Sequence, residues 1–269
     1  MSGIMGRTVA ILFVCFTAIG FRAVAVAETA SPVAVITGSS FGLGNELARM
    51  AAEKGWRLAL IDNQPAPSAI LAQSIKEAGG EVMVLVADLS KGEERTGLIE
   101  QVVSTYGRVD YLFNNAGYAY LATVEQMELK PAHRLFEVNY WAYVDLAQQA
   151  IAPMRQQGGG VIVNVSSILA TVPAGPGYGH YSATKYALHG VFQSMMQEVA
   201  PDGIKVFLAA PGGMKTKIGQ HALGPLAQPG APLPDHWEDP RVVATDIFAA
   251  IEGDSGIILP GYVGRQASP

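Results

Sequence analysis

From residue 33 onward, short runs of Val, Ile and Leu alternate with longer stretches whose apolar positions recur every three or four residues. The runs are Val33–Ile36, Arg57–Ile61, Val82–Val86, Tyr111–Phe113, Val161–Val165, Lys205–Ala209 and Gly256–Leu259. They are almost continuously apolar, which suits strands covered on both faces. Between them, Asn45–Glu53, Ser68–Ala78, Glu93–Tyr106, His133–Met154 and Ser182–Val199 read as helices. Seven strands with intervening helices predict an α/β fold: a doubly wound, seven-stranded parallel sheet in a single domain. Residues 218–239 break the alternation. They are rich in Pro, Gly, Ala and Leu, and hold His221, His236 and Trp237. A long irregular insert in a compact domain predicts a lid over a site.

Ahead of this pattern the chain reads differently. Residues 1–8 carry Arg7 and no acid, Val9–Phe21 is a 13-residue stretch dominated by apolar side chains, and Ala25-Val26-Ala27 offers a small-residue cleavage site. This is the three-part layout of a secretory signal, and the run is short for a membrane span. Arg22, between the apolar run and the cleavage site, departs from that layout. Three readings stay open: a cleaved signal, an uncleaved anchor that associates with a membrane through residues 8–27, and sequence upstream of the start codon in use. The expectation is a leader over 1–27 that exports the chain or attaches it to a membrane, then one domain over 28–269. If the leader is not translated, the alternative is a cytoplasmic protein.

Composition narrows the function. With 15% charged and 49% hydrophobic residues the chain is globular rather than disordered, and long enough for a well-buried core. A net charge of −5 argues against a nucleic-acid partner, which would favour a basic face. Cys15, the single cysteine, lies in the apolar leader, so a cleaved chain has no disulfide. No metal site is expected.

The first strand runs directly into Thr37-Gly38-Ser39-Ser40-Phe41-Gly42-Leu43-Gly44, which opens a helix. Glycines placed there allow a tight turn and let the backbone approach a pyrophosphate at the helix N-terminus, the Rossmann-type arrangement. Gly38, Ser40, Phe41, Gly42 and Gly44 are the candidate cofactor contacts. Asp62 ends the second strand, where an acid accepts hydrogen bonds from both hydroxyls of an adenosine ribose. A 2′-phosphate would meet like charge there, and no Arg or Lys adjoins Asp62 or lies within the turn. The expected cofactor is therefore NAD in preference to NADP. The competing reading is that Asp62 only caps a turn with Asn63 and Pro65.

Tyr181-Ser182-Ala183-Thr184-Lys185 places a phenol and an amine four apart on one helical face. A phenol is a poor base at neutral pH, and lowering its pKa by about three units takes roughly 4 kcal/mol of preferential stabilisation of the phenolate. A fixed ammonium one turn away, with a nicotinamide cation beside it, is a source of that stabilisation. Alone, such a pair is common on exposed helices. Here it accompanies the glycine turn, Asn114-Asn115-Ala116-Gly117 after the fourth strand, Asn139, Val165-Ser166-Ser167 after the fifth strand and Pro211-Gly212 after the sixth. Together, in this order, these residues closely resemble the short-chain dehydrogenase/reductase family over residues 33 to about 262.

The resemblance implies roles. Tyr181 would be the acid/base that exchanges a proton with the substrate oxygen. Lys185 would lower its pKa and hold the nicotinamide ribose. Ser167, rather than Ser166, would hydrogen-bond the substrate oxygen, and Asn139 would anchor a water in the relay to Lys185. Asp88 and Leu89 would meet the adenine. Asn115, Ala116 and Gly117 would line the cofactor channel. Pro211, Gly212, Met214 and Thr216 would close over it, with Thr216 on the carboxamide. Two departures stand out: Ser167 precedes Tyr181 by 14 residues where the family's gap is 13, and Ala170 replaces the usual Gly. The loop Ile168–His180 thus has one extra residue and is a candidate substrate wall. His180 is read as a loop residue facing solvent or substrate before a second acid/base.

The implied activity is hydride transfer between NAD(H) and a secondary alcohol or ketone. The alternatives are a catalytically silent NAD-binding sensor or scaffold, and an epimerase or dehydratase on a related scaffold. Tyr118, Tyr120, Leu121, Leu169, Val172, Tyr178, Met214, Ile218 and Trp237 are read as surrounding the site. Their apolar character points to a small-molecule substrate with a hydrophobic body. A homo-oligomer is expected through the helices His133–Met154 and Ser182–Val199, with Phe192, Met195 and Met196 offered to such a face or to the core.

Overall fold

The computed structural model describes residues 31–219, 221–261 and 263–264. The leader expected over residues 1–27 lies outside the described residues. Seven parallel strands form one sheet: β1 Val33–Thr37, β2 Arg57–Asp62, β3 Val82–Val86, β4 Tyr111–Asn114, β5 Gly160–Val165, β6 Ile204–Ala209 and β7 Gly256–Ile258. Their order is β3-β2-β1-β4-β5-β6-β7, the doubly wound arrangement expected from the alternating pattern. Every strand falls within one residue of its predicted run, because an apolar run buried on both faces has little freedom in register.

The helices are α1 Gly42–Glu53, α2 Pro65–Glu77, α3 Gly92–Arg95, α4 Leu98–Tyr106, α5 Leu129–Phe136, α6 Ala142–Gln156, α7 Gly179–Val199 and α8 Pro240–Ala250. One face of the sheet packs on α4, α6 and α7 through residues such as Ile99, Leu146, Leu188 and Phe192. The other packs on α1, α2 and α8 through Leu47, Leu71, Ile247 and Phe248. Phe192 and Met195 are buried and Met196 packs against the same cluster, so these three serve the core. Among the described residues no helix is long and apolar enough to cross a membrane.

Three helical expectations change. Glu93–Tyr106 is not continuous: α3 ends at Arg95, and Gly97 precedes α4 in the left-handed region at φ 74°. The helix expected over His133–Met154 starts four residues earlier, at Leu129. It contains a π-helical turn, Glu137–Trp141, between α5 and α6. Helix α8 was not among the predicted elements, though its start is legible. The Asp239 carboxylate accepts from the Arg241 N–H at 2.7 Å and Pro240 takes the first helical position, the residue types that open helices.

The insert over 218–239 is irregular and docked. Its Leu223 N–H donates to Ala119 O at 2.9 Å, Leu121 N–H donates to Leu223 O at 2.7 Å, and Leu226 N–H donates to Leu121 O at 3.0 Å. Met214 pairs with Glu238 at its far end.

The break at Gly97 generates a test. In a continuous helix, Gly97→Ala would stabilise the protein by about 1 kcal/mol. At positive φ a Cβ is strained, so the variant is expected to lose roughly 1 kcal/mol in urea unfolding. A gain in stability would show that α3 and α4 are one helix.

Candidate functional site

The site forms where the strand order reverses. β1 lies between β2 and β4, so the loops after β1 and β4 part to opposite faces and leave a crevice at their carboxyl ends. Thr37 and Asn115 tie the two loops together. Asn115 N–H and Ala116 N–H donate to Thr37 Oγ1 at 2.9 and 3.0 Å. Asn115 Nδ2 donates to Thr37 O at 2.9 Å and Gly38 O at 3.1 Å. The backbone is so close here that a Cβ on Gly44 would overlap Gly38 O. Asn115 thus braces the glycine turn.

No side chain caps α1 and no acid occupies its first turn. Its leading N–H groups are therefore not claimed by side chains, which fits an anionic pyrophosphate. Beside the turn a groove of about 260 Å³ is lined by Phe41, Gly42, Asn45, Lys215, Thr216 and Lys217, among others. Thr216 packs directly on Gly42, and the Lys217 ammonium stands 3.8 Å from the Phe41 ring centroid. Glycine backbone, helix terminus and nearby ammonium groups together suit the phosphates of a dinucleotide.

Asp62 is 6% exposed. Each carboxylate oxygen accepts a backbone N–H, from Ser40 at 2.9 Å and from Gln64 at 2.9 Å. The turn-capping reading is therefore correct as structure. It does not displace the ribose reading, because each carboxylate oxygen can accept a second bond. Ser40 Oγ also meets Ser68 Oγ at 3.0 Å. Asp88 is held by Ser90 and Arg134, whose Nη2 lies 3.1 Å from Asp88 Oδ2. Burial pushes its carboxyl up, but hydrogen bonds from Ser90 and the charges of Arg134 and Lys91 outweigh that and hold it below the usual value. Leu89 is buried, and its carbonyl accepts from Arg95 Nη1 at 2.9 Å.

The catalytic candidates converge from β5, α7 and the π-helical turn. Ser167 follows β5, is 8% exposed, and accepts from Leu169 N–H at 3.2 Å. Its hydroxyl is near enough to the Tyr181 phenol to pull its pKa down, so the extra loop residue does not separate the pair. Ser166 points away. Its hydroxyl meets His189 Nε2 at 3.0 Å. Lys185, one turn beyond Tyr181, is 3% exposed and donates from Nζ to Val165 O at 2.8 Å. Asn139 is fully buried within the π-helical turn. Its Oδ1 accepts from Tyr118 N–H at 3.1 Å, and its Nδ2 donates to Tyr118 O at 3.0 Å and to Thr184 Oγ1 at 3.3 Å. The side-chain amide is thus spent on joining the β4 loop to α7. A Cβ on Gly117 would stand 3.1 Å from Asn139 Oδ1 and 3.8 Å from Lys185 Nζ, which places Gly117 against both.

Desolvation dominates the electrostatics. Burial raises the Tyr181 phenol to about 12, partly offset by the Ser167 hydrogen bond. Burial lowers the Lys185 ammonium to about 7. The expectation that Lys185 depresses the phenol is therefore not met by protein groups alone. Removal from water favours the neutral form of both residues.

Several expected wall residues have other duties. Tyr120 is buried with Ala122 and Leu135, and its hydroxyl accepts from Glu128 N–H at 3.2 Å. Trp237 lies over Gly213, pinning the insert to the Pro211-Gly212-Gly213 turn. Pro211 O accepts from Ile168 N–H at 2.9 Å. His180 is half-buried in the first turn of α7: its Nε2 is buried with no hydrogen-bond partner among the described residues, and its ring is 6.4 Å from that of Tyr120. Thr37, Thr184 and Tyr143 were missed by sequence reasoning. Thr184 lies inside the Tyr181–Lys185 motif, and Thr37 opens the glycine turn. Nothing in the sequence marked Tyr143.

The model of the family described as short chain dehydrogenase matches residues 32–223. The 11-beta-hydroxysteroid dehydrogenase-like 2 of Arabidopsis thaliana is 32% identical over 188 residues, covering 69% of this chain and 60% of that one. An alcohol dehydrogenase from the archaeon Thermococcus sibiricus, complexed with 5-hydroxy-NADP, superposes with TM-score 0.76 at 26% identity. The match covers 85% of this chain and 95% of that one. A short-chain dehydrogenase/reductase from Burkholderia phymatum in complex with NAD gives TM-score 0.74 at 25% identity, covering 85% and 88%.

The buried amine predicts a stability effect with a definite sign. Lys185 binds its proton less tightly in the folded protein, at about 7, than in the unfolded chain, at its ordinary value of 10.5. Its contribution to stability is therefore complete above 10.5 and is lost as pH falls towards 7. Lys185→Met removes this penalty. The variant, measured without cofactor, is expected to melt several degrees above wild type at pH 6, with the gap shrinking by pH 9. A gap that grows with pH would contradict the assignment.

Proposed function

We propose a function from one premise: the chain belongs to the short-chain dehydrogenase/reductase family. It is an NAD(P)-dependent oxidoreductase acting on CH–OH groups. Within that class, our reading is reversible oxidation of a secondary alcohol to a ketone, with Tyr181 as the acid/base. The observation that carries it is the convergence of Tyr181, Ser167 and Lys185 beside the glycine turn.

The glycine turn and Asp62 would hold a nicotinamide cofactor, which would supply the hydride acceptor for oxidation or the donor for reduction. Every other task falls to the polypeptide. Ser167 donates to the substrate oxygen and keeps it beside the Tyr181 phenol. In oxidation the alcohol O–H proton passes to Tyr181 Oη as the C–H pair leaves the carbinol carbon. In reduction Tyr181 returns that proton to the nascent alkoxide. The positive charge of Lys185 favours the phenolate that this exchange requires. Because the free-chain phenol sits near 12, a charged Lys185 matters most when the site is closed from water.

The substrate is read as an alcohol with a hydrophobic body. Val172 and Tyr178 on the loop after β5 are each 41% exposed, and Leu223 and Leu226 on the insert are 53% and 39% exposed. Leu226 lies against Gly177 of that loop, and we read these exposed apolar side chains as the wall a hydrophobic substrate would meet. Similarity to a protein named for a hydroxysteroid dehydrogenase supports the same class. For the cofactor, Asp62 favours NAD, since a 2′-phosphate beside a buried carboxylate is repelled.

Tyr181→Phe keeps the ring and removes the exchanging proton. Turnover is expected to fall at least about a hundredfold, with NADH binding, read by fluorescence, unchanged. Near-normal turnover would remove Tyr181 from the chemistry. Wild-type kcat/KM is expected to be higher with NAD than with NADP. Asp62→Asn should narrow the difference about tenfold, mainly by weakening NAD, since 1.4 kcal/mol is a factor of ten. A wild-type preference for NADP would place Asp62 away from the ribose.

A further inference from the structure

Tyr143 lies one helical turn beyond Asn139 and is 1% exposed. Its phenol donates to Val165 O at 3.3 Å, the carbonyl that also accepts from Lys185 Nζ at 2.8 Å. Its ring centroid is 5.2 Å from Nζ, and that of Tyr181 is 5.8 Å away. Tyr143 is itself fixed from behind. Its backbone carbonyl accepts from Asn114 Nδ2 at 3.2 Å, and that nitrogen also donates to Asn164 Oδ1 at 3.0 Å. Both asparagines are fully buried.

Among the described residues Lys185 has no carboxylate to lean on, and no ion pair includes it. The titratable groups facing it are the phenols of Tyr181 on α7 and Tyr143 on α6. His189, the next turn along α7, gives its Nε2 to Ser166. From β5 comes only the Val165 carbonyl, and from the π-helical turn only the neutral Asn139. A buried ammonium in such company is held by one carbonyl and two aromatic faces.

We propose that Tyr143 is a positioning residue for Lys185: its ring presents a negative face to the ammonium, and its hydroxyl fixes the carbonyl on which Nζ rests. The proposal deepens the reading above and rests on Lys185 serving the proton exchange at Tyr181. Burial drives the lysine towards its neutral form, to about 7, and the Val165 carbonyl and the aromatic faces are the local features that favour the cation. Tyr143 does not enter the proton path. Burial, and then the charge of Tyr181, hold its phenol well above the usual value, so it remains an O–H donor.

The test separates ring from hydroxyl. Full-length protein carrying isotope-labelled lysine is titrated by NMR, with Lys185→Met assigning the signal. Tyr143→Phe keeps the ring face and is expected to leave the Lys185 midpoint within about 0.3 units of wild type. Pentafluorophenylalanine at the same position keeps the ring's shape and reverses the charge of its face. The midpoint should then fall about one unit below that of Tyr143→Phe. The cation is the active form, so the alkaline limb of kcat/KM should move down in pH by the same amount. Tyr143→Leu, which removes the face altogether, should lower the midpoint in the same direction. An unchanged Lys185 midpoint in the fluorinated protein overturns the proposal whatever its turnover. Unimpaired turnover in Lys185→Met would instead overturn the catalytic reading, while the titration still reports on Tyr143.

Discussion

An ammonium taken out of water must be compensated by whatever surrounds it, and Lys185 has little to draw on. It has the Val165 carbonyl at 2.8 Å and two phenol rings. That scarcity explains much of the local architecture. Val165 ends β5, so the carbonyl is held by the sheet and cannot drift. Lys185 and Tyr181 share α7, whose Leu188 and Phe192 are fully buried against the same sheet. The π-helical turn brings Asn139 to Thr184, between the two catalytic candidates in sequence. Rigid surroundings of this kind keep a costly charge from relaxing into water, and so keep it useful to a neighbouring phenol.

The cofactor turn is built by a different device, the sharing of hydrogen bonds across the point where strand order reverses. Thr37 and Asn115 join the loops after β1 and β4. Asp62 joins the glycine turn to the start of α2. A turn so closely braced is preorganised for a ligand, because little of it remains to be ordered on binding. The same bracing explains why glycine is required at Gly44, where any side chain would strike Gly38 O.

Strands, glycine turn and the Tyr181–Lys185 pair were legible because each has a signal that local physics enforces. Apolar runs mark doubly covered strands, and a strand passing into glycine and then helix marks the turn. The rest was hidden for identifiable reasons. The π-helical turn leaves no mark in a helical periodicity, since one extra residue per turn shifts the pattern only slightly. Gly97 inside an apparently continuous helix could be read as tolerated, and only its backbone angle reveals the break. Tyr143 looks like any core aromatic, and its place over Lys185 depends on packing between α6 and α7. The two pKa directions were also beyond the sequence. The Tyr–Lys spacing suggests that each ion favours the other, whereas burial acts on both and proves stronger.

The loop after β6 joins the glycine turn to the loops after β4 and β5. Its first part lies over Gly42 through Thr216. Its middle docks on Ala119 and Leu121 through Leu223, and its end is pinned by Trp237 over Gly213 and by the pairing of Glu238 with Met214. One segment thus reaches the glycine turn through Thr216 and the loop after β5 through Leu226, which lies against Gly177. Its contacts at Ala119 and Leu121 are backbone hydrogen bonds to a loop, cheaper to break than the buried packing of the sheet.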